Sequence, residues 1–400
     1  MRFARSVAFC SCALFALTLP ALAAAPTGDA KARRDLAKKI VTQCAGVHED
    51  DVVLLSGDAR DLDLLEDMAI EVQNAGADPL QAVSREQASR RYYEEVAAKY
   101  DVKRNLASTR LVPVFDVRIA VQGTEFPDLY RNVAPERLAA IEQTGVPVSD
   151  ALIKRGVRRI FVGNGLYPTA ATAKELGVSL AALAKAFSGG LNVDYVQMQK
   201  TGADVKARFT GAKEVHLSNA NGTDLKLKIE GRPALVSDGV ISEADVKQGG
   251  AATLVWLPAG EVYVTPVPGT AEGKVVIDRM PWEGGEVNGL TLDVKGGKIV
   301  AMSAKASPAY DRFKKYYDAA AAGKDVISTI DVGINPAIAG DGKILSFIPN
   351  GMVSVFLGNN TWSGGDNNTG FSAVGFLPTS TLLVDGKPLV EHGALKVAAK

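Results

Sequence analysis

The chain has 400 residues, with 45 basic and 45 acidic side chains, three histidines and 47% hydrophobic residues. The balanced charge argues against a basic surface for nucleic acid or for an anionic membrane. The histidines, His48, His216 and His392, lie far apart in the sequence. They leave little from which to build a transition-metal site, because such a site usually needs three or four protein ligands.

The first residues have the pattern of a secretory signal peptide. Arg2 and Arg5 precede an apolar run over residues 7–19, and Ala21-Leu22-Ala23 forms a small-residue cleavage site. The run is too short for a membrane span. We therefore expect residues 1–23 to be removed and the mature protein to be exported to the periplasm or the exterior, with no span left after processing. Cys44 is then the single cysteine, so stability must come from a large core.

The first half of the chain alternates between strand and helix patterns. Helices are predicted over 29–45, 62–74 and 85–98, and strands over 52–55, 80–83, 111–121 and 158–162. This alternation predicts an α/β fold with a mostly parallel sheet.

From about residue 213 the pattern changes to short β-rich runs between Gly, Asn and Pro turns. Asn221-Gly222 is a strong hairpin signal between two such runs. A helix is predicted over 310–322, and strands over 352–357, 371–376 and 381–384. We therefore predict an N-terminal α/β domain over 28–208 and a C-terminal β-rich α+β domain over 209–400.

Five segments, in order along the chain, resemble the aminopeptidase T/aminopeptidase S family of metallo-aminopeptidases. They are LYPTAATAKELGVSLAALAKAF (166–187), NGTDLKLKIEGRP (221–233), LPAGEVYVTPVPGTAEGKVVID (257–278), VGINPAIAG (332–340) and LGNNTWSGGDNNTG (357–370). The resemblance implies an N-terminal α/β domain, a C-terminal domain with a two-metal cleft, and a homodimer with an enclosed chamber.

The resemblance also implies six metal-ligand positions, and only the first is retained. Glu261 is the family's motif glutamate, whereas Thr329 stands where the second metal-bridging glutamate is expected. An acid is expected at 346–348, where the sequence is Ser-Phe-Ile. Ser354 replaces the metal-binding histidine.

The last two ligand positions lie on a single strand. Ser372 and Val374 replace the family's final histidine and aspartate, and Thr361 falls near its tyrosine. Hydroxyl and isopropyl groups cannot replace imidazole and carboxylate as ligands of zinc or cobalt. We predict that Glu261, Thr329, Ser354, Ser372 and Val374 converge on one pocket.

Three nearby acids could compensate for this loss: Asp331, and Asp341 and Asp366 on adjacent loops, with Asp331 the best placed. Asp331 lies two residues after Thr329 and therefore on the same strand face. Glu261 and Asp331 together offer oxygen ligands for a hard cation such as Ca²⁺ or Mg²⁺. No resident cofactor is expected, and if there is one it should be a divalent metal ion.

These observations favour an exported relative with reduced or no catalysis, which binds a peptide or small ligand in the former cleft. The alternatives are an active metal-dependent aminopeptidase and a different enzyme that uses the same cleft. The ligand-binding candidates are Glu261, Thr329, Asp331, Ser354, Thr361 and Ser372.

Overall fold

A computed structural model describes residues 29–397, so the predicted signal segment and its cleavage site lie outside the described part. Helices α1 to α10 are Ala30–Lys38, Leu62–Asn74, Glu86–Glu95, Leu106–Leu111, Pro135–Arg155, Ala170–Leu176, Leu180–Leu191, Tyr195–Phe209, Glu243–Gln248 and Pro308–Ala319. Strands β1 to β10 are Val52–Asp58, Asp78–Ser84, Val117–Val121, Arg158–Val162, Glu214–Ser218, Asp224–Lys228, Ala234–Ser237, Leu254–Leu257, Glu261–Val264 and Glu272–Trp282. Strands β11 to β20 are Gly285–Lys295, Lys298–Ser303, Ile327–Gly333, Asn335–Ala339, Pro349–Asn350, Val353–Gly358, Ser372–Leu377, Thr381–Val384, Lys387–Glu391 and Ala394–Leu395.

Four strands from the first half of the chain and β8 from the second half build a parallel sheet with the strand order β2-β1-β3-β4-β8. Parallel neighbours need crossover connections, and helices such as α2 and α5 supply them. Helix α5 begins at Pro135 and ends where Gly156 takes a left-handed conformation with φ of 70°. The predicted α/β fold with a mostly parallel sheet is confirmed.

One face of this sheet is covered by helices and the other is not. Leu55, Ile119 and Ile160 point into a core that also contains residues of α1, α2 and α7. Because side chains alternate along a strand, their neighbours in sequence point to the opposite face. That second face looks toward the C-terminal part of the chain.

The C-terminal part contains two antiparallel sheets and a small parallel pair, β14 with β15, in agreement with the predicted β-rich fold. An eight-stranded sheet has the order β12-β11-β10-β6-β5-β18-β19-β20, and a five-stranded sheet has the order β17-β16-β13-β9-β7. The two pack around a second core. The turn between β5 and β6 contains Asn221 and Gly222, where the hairpin signal lies. Strand β8 follows this hairpin in sequence, yet it joins the parallel sheet beside β4, so the chain returns across the boundary predicted near residue 208.

Two sequence predictions of local structure are wrong in detail. Residues 111–121 do not form one strand, because α4 runs to Leu111 and a 3-10 turn occupies Val112–Val114 before β3 starts. Pro113 lies in that turn and has no N–H to donate to a strand ladder. The helix predicted over 29–45 changes to a wider π turn at Lys39–Cys44. Between residues 29 and 397, no helix combines the length and apolarity that crossing a membrane requires.

Candidate functional site

A cavity of about 880 Å³ lies between the uncovered face of the parallel sheet and the five-stranded sheet. This volume is within the range of small-molecule sites. Two rows of paired residues cross its floor. The first row is Leu54, Arg118, Arg159 and Leu254, and the second contains Ser56, Phe161 and Trp256.

The opposite wall comes from the five-stranded sheet and the roof from helices. Glu261 on β9, Phe356 on β16, and Ser372 and Val374 on β17 line the wall. Helices α4 and α5 close one side with Leu111, Val148 and Leu152, among others.

Aromatic rings make much of the interior apolar. Phe161 and Trp256 have ring centroids 4.7 Å apart. Phe347 stacks on Phe356 at 5.5 Å, and Trp362 lies 5.1 Å from Phe356. Flat, apolar surfaces of this kind favour a ligand with a planar hydrophobic body.

Asn164 fixes the position of Glu261. It follows β4 and has a positive φ of 46°, a conformation that asparagine tolerates better than most residues. Its amide donates hydrogen bonds to the Glu261 carboxylate and, at 2.9 Å, to the carbonyl oxygen of Pro258. Glu261 is 2% exposed, and burial raises the pKa of its carboxyl group above the ordinary range. The group therefore tends to keep a proton near neutral pH.

Asp331 lies on β13, next to β9, and is fully buried. It pairs with Tyr263 on one side and with Ser354 on the other, so Glu261 is its diagonal neighbour. Burial and then the nearby Glu261 raise the pKa of Asp331. Within residues 29–397, neither carboxylate oxygen of Asp331 nor the Ser354 hydroxyl has a hydrogen-bond partner.

The predicted site residues fall into two groups. Glu261, Ser372 and Val374 line the cavity. Thr329, Asp331 and Ser354 are buried on neighbouring positions of the same sheet but do not reach the wall. The Thr329 hydroxyl lies 2.8 Å from the hydroxyl of Ser363.

Thr361 and Ser346 stand at the edges of this region. Thr361 opens a short 3-10 turn, and its backbone N–H donates to the side chain of Asn359 at 3.2 Å, while its neighbour Trp362 reaches the cavity. Ser346 is buried and donates to the backbone oxygen of Asn164 at 3.2 Å.

The donor set does not fit a pair of transition-metal ions. Two ions held close together need several carboxylate or imidazole ligands. The described residues contain no group of three or more His, Cys, Asp or Glu side chains that could hold a metal. All three histidines lie elsewhere, and two are engaged in contacts: His216 is 2.6 Å from Asp224, and His48 is 3.2 Å from Arg158. Glu261 and Asp331 alone supply two carboxylates.

Three residues of the cavity, Arg118, Arg159 and Asn164, were not predicted from the sequence. The sequences FDVRIAV and RRIFV each place a charge inside an apolar strand of a parallel sheet. Such strands are usually apolar on both faces because helices cover both. An arginine in the middle of one is therefore a usable signal that one face is not covered by a helix.

Comparisons with known proteins agree with this architecture. Wild-type AmpT from Thermus thermophilus superposes with a TM-score of 0.70 at 15% identity, covering 91% of this chain and 99% of AmpT. A 2,5-dihydroxypyridine dioxygenase from Pseudomonas putida KT2440 superposes with a TM-score of 0.62, also at 15% identity, covering 93% and 99%. At this identity the two structures show a shared fold and nothing more. No curated protein sequence matches the chain.

The family is shown by sequence. Residues 30–316 match the model of the thermophilic metalloprotease family M29, which is more than half of the chain. The match confirms the resemblance to the aminopeptidase T/S type of metallopeptidase. The chain belongs to the M29 thermophilic metalloprotease family.

Proposed function

We propose that this protein is an M29 family member that binds a small ligand in the cavity between its two sheets and does not hydrolyse peptides by two-metal chemistry. The observation that carries this is the composition of the cavity wall. Ser372 and Val374, which the resemblance aligns with metal ligands, line a large and mostly apolar cavity, while Thr329 and Ser354 are buried behind its wall.

The loss of hydrolysis follows from what the remaining residues supply. A metal site activates a water molecule by lowering its pKa and polarises the scissile carbonyl group. Glu261 is buried and held by Asn164, and Asp331 is buried behind the wall. Neither carboxylate has enough other ligand side chains nearby to hold two metal ions in a fixed geometry.

Metal content and peptidase activity test the first half of the proposal. The purified mature protein would be dialysed against Co²⁺ or Zn²⁺, its metal measured by mass spectrometry, and release of N-terminal amino acids followed with and without EDTA. AmpT would serve as the active control. We expect fewer than two ions per chain and no chelator-sensitive release. Two tightly bound ions, or release that EDTA abolishes, would support the alternative of an active aminopeptidase.

Binding of a neutral aromatic probe tests the second half. We expect 1-aminoanthracene to bind with a stoichiometry of about one, because the cavity volume and aromatic walls suit a compact planar ligand. Val148→Trp, on α5, would fill part of the cavity and weaken binding. The exposed Val196→Trp on α8 is the matched control and should bind like the wild type. Binding that is insensitive to Val148→Trp would place the probe elsewhere and contradict the proposal.

We further propose that the protein is exported and forms a homodimer. Support for the dimer comes from the family resemblance and from Leu80 and Leu111, two exposed apolar side chains that line the cavity. Exposed apolar surface is typical of association sites when it forms a patch. Light scattering of the purified protein measures the dimer, and the intact mass of secreted material measures whether residues 1–23 have been removed. A monomer, or a retained leader, would contradict the corresponding statement.

A further inference from the structure

Arg118 and Arg159 form a pair of like charges on the cavity floor. They are direct partners on the parallel strands β3 and β4, so their side chains emerge side by side on the same face. Arg159 is 3% exposed, and Arg118 is half-buried. Like charges at paired positions repel, and burial makes each charge more costly.

Neither arginine has an acidic partner among residues 29–397. Arg159 donates to the carbonyl oxygen of Gly250 at 2.9 Å, and its Nε has no partner. The Nε of Arg118 is also unpaired, and its guanidinium group lies 5.6 Å from the centre of the Phe161 ring. Buried arginines in folded proteins are normally paired. These two form an exception that calls for an explanation.

The adjacent residue Arg158 lies on the same strand and, unlike Arg159, has an acidic partner. Arg158 points to the other face, where it meets the Asp51 carboxylate at 2.5 Å and the carbonyl oxygen of Ala45 at 3.2 Å. The fold therefore provides a full set of partners for Arg158 and leaves its neighbour Arg159 facing the cavity without an acid.

The composition of the cavity indicates the kind of partner that is missing. Arg118 and Arg159 are the basic side chains on its wall and Glu261 is the acidic one. Glu261 already accepts from Asn164, and among residues 29–397 it forms no ion pair with either arginine. Phe161 and Trp256 lie in the next row of the same sheet face, directly beside the arginines.

We propose that Arg118 and Arg159 are the recognition residues for an organic carboxylate with a flat aromatic body, bound in the cavity. Two guanidinium groups side by side match the two oxygens of one carboxylate, and such charge-assisted hydrogen bonds are the strong ones. The rings of Phe161 and Trp256 then contact the ligand body. Inorganic phosphate lacks that body and would leave the aromatic wall unused. The inference rests on the proposed ligand-binding function and adds the chemical class of the ligand.

A matched pair of probes tests this inference. Isothermal titration calorimetry would measure 2-naphthoate, its neutral analogue 2-naphthamide, and sodium phosphate on the full mature protein. We expect 2-naphthoate to bind at least about tenfold more tightly than 2-naphthamide, since hydrogen bonds to charged groups are the stronger class. Arg118→Met and Arg159→Met should each remove most of this preference. Arg110→Met, an exposed arginine on α4 beside the cavity, should retain it.

Each outcome has one interpretation. Equal binding of naphthoate and naphthamide, or a preference that survives both Met variants, would overturn the carboxylate assignment while leaving a ligand-binding cavity. Tight binding of phosphate that exceeds that of naphthoate would replace the aromatic carboxylate with an inorganic anion. If naphthoate does not bind, the inference fails, and 1-aminoanthracene binding then decides separately whether the proposed function fails as well.

Discussion

Replacing Arg159 with methionine should stabilise the protein in the absence of ligand. Burial lowers the pKa of Arg159 from 12.5 to about 10, which means that the folded environment disfavours the charged form. At roughly 1.4 kcal/mol per pKa unit, this corresponds to about 3 kcal/mol at neutral pH. The variant loses one hydrogen bond, to Gly250, worth about 1 kcal/mol or somewhat more. The net expectation is a gain of about 2 kcal/mol in the free energy of unfolding.

Arg158 provides the matched control, because it is next in the same strand and is also buried. Arg158→Met leaves Asp51 without its cation, and removing one partner of a buried pair costs about 3–5 kcal/mol. Denaturation in guanidinium chloride, with equal slopes for all three proteins, measures both effects. If Arg159→Met destabilises the protein as much as Arg158→Met does, then Arg159 is a structural residue and the reasoning about an unpaired cavity cation is wrong.

Three other predictions concern the site and its support. Because the pKa of Glu261 is higher in the folded protein, stability should fall as the pH rises from the unfolded pKa near 4.5 toward the folded pKa, and Glu261→Gln should flatten the pH dependence of the unfolding midpoint. The exposed Glu230→Gln is the control and should leave that pH dependence unchanged. Parallel profiles for the wild type and Glu261→Gln would contradict the burial argument. Gly202→Ala places a methyl group 2.7 Å from Val236 and should lower the free energy of unfolding by about 1–3 kcal/mol, measured by thermal unfolding. Gly189→Ala, whose added methyl group would have its nearest neighbour at 3.8 Å, should be neutral or stabilising in the same assay. Phe187→Ala removes a fully buried ring that packs against Tyr167, and it should lower the free energy of unfolding, measured in denaturant, by about 3–5 kcal/mol. A loss below about 1 kcal/mol would show that the surrounding residues close the cavity that the ring leaves.

The sequence predicts the fold well because the fold depends on local patterns. Strand–helix alternation before residue 208 predicts four of the five strands of the parallel sheet, and the Asn221-Gly222 turn marks an antiparallel hairpin. The resemblance to the family adds the expectation that Glu261 and Ser372 face one pocket, and both line the cavity from strands of the same sheet. These features depend on nearest neighbours in sequence or on motifs that occur as continuous segments.

The arginine pair could not be predicted in the same way. Arg118 and Arg159 are separated by α5 in sequence, and they meet only through the register of β3 with β4. Whether helices cover the sheet face that carries these arginines depends on where the five-stranded sheet packs, and no local sequence pattern predicts that packing. The position of Asp331 behind the cavity wall has the same origin, since it follows from the pairing of β13 with both β9 and β16.

The short connection between β8 and β9 has a mechanical consequence. Strand β8 ends at Leu257 in the parallel sheet and β9 starts at Glu261 in the five-stranded sheet, so Pro258, Ala259 and Gly260 alone join them there. The side chain of Asn335, on β14, donates to the carbonyl oxygen of Ala259 at 2.7 Å, and that of Asn164, after β4, donates to the carbonyl oxygen of Pro258. Hydrogen bonds from two other segments hold the connection in place. The two halves therefore cannot separate at this end of the cavity without breaking those bonds. Any separation of the two sheets would have to begin at the opposite edge of the parallel sheet, where Leu80 and Gln81 of β2 line the cavity.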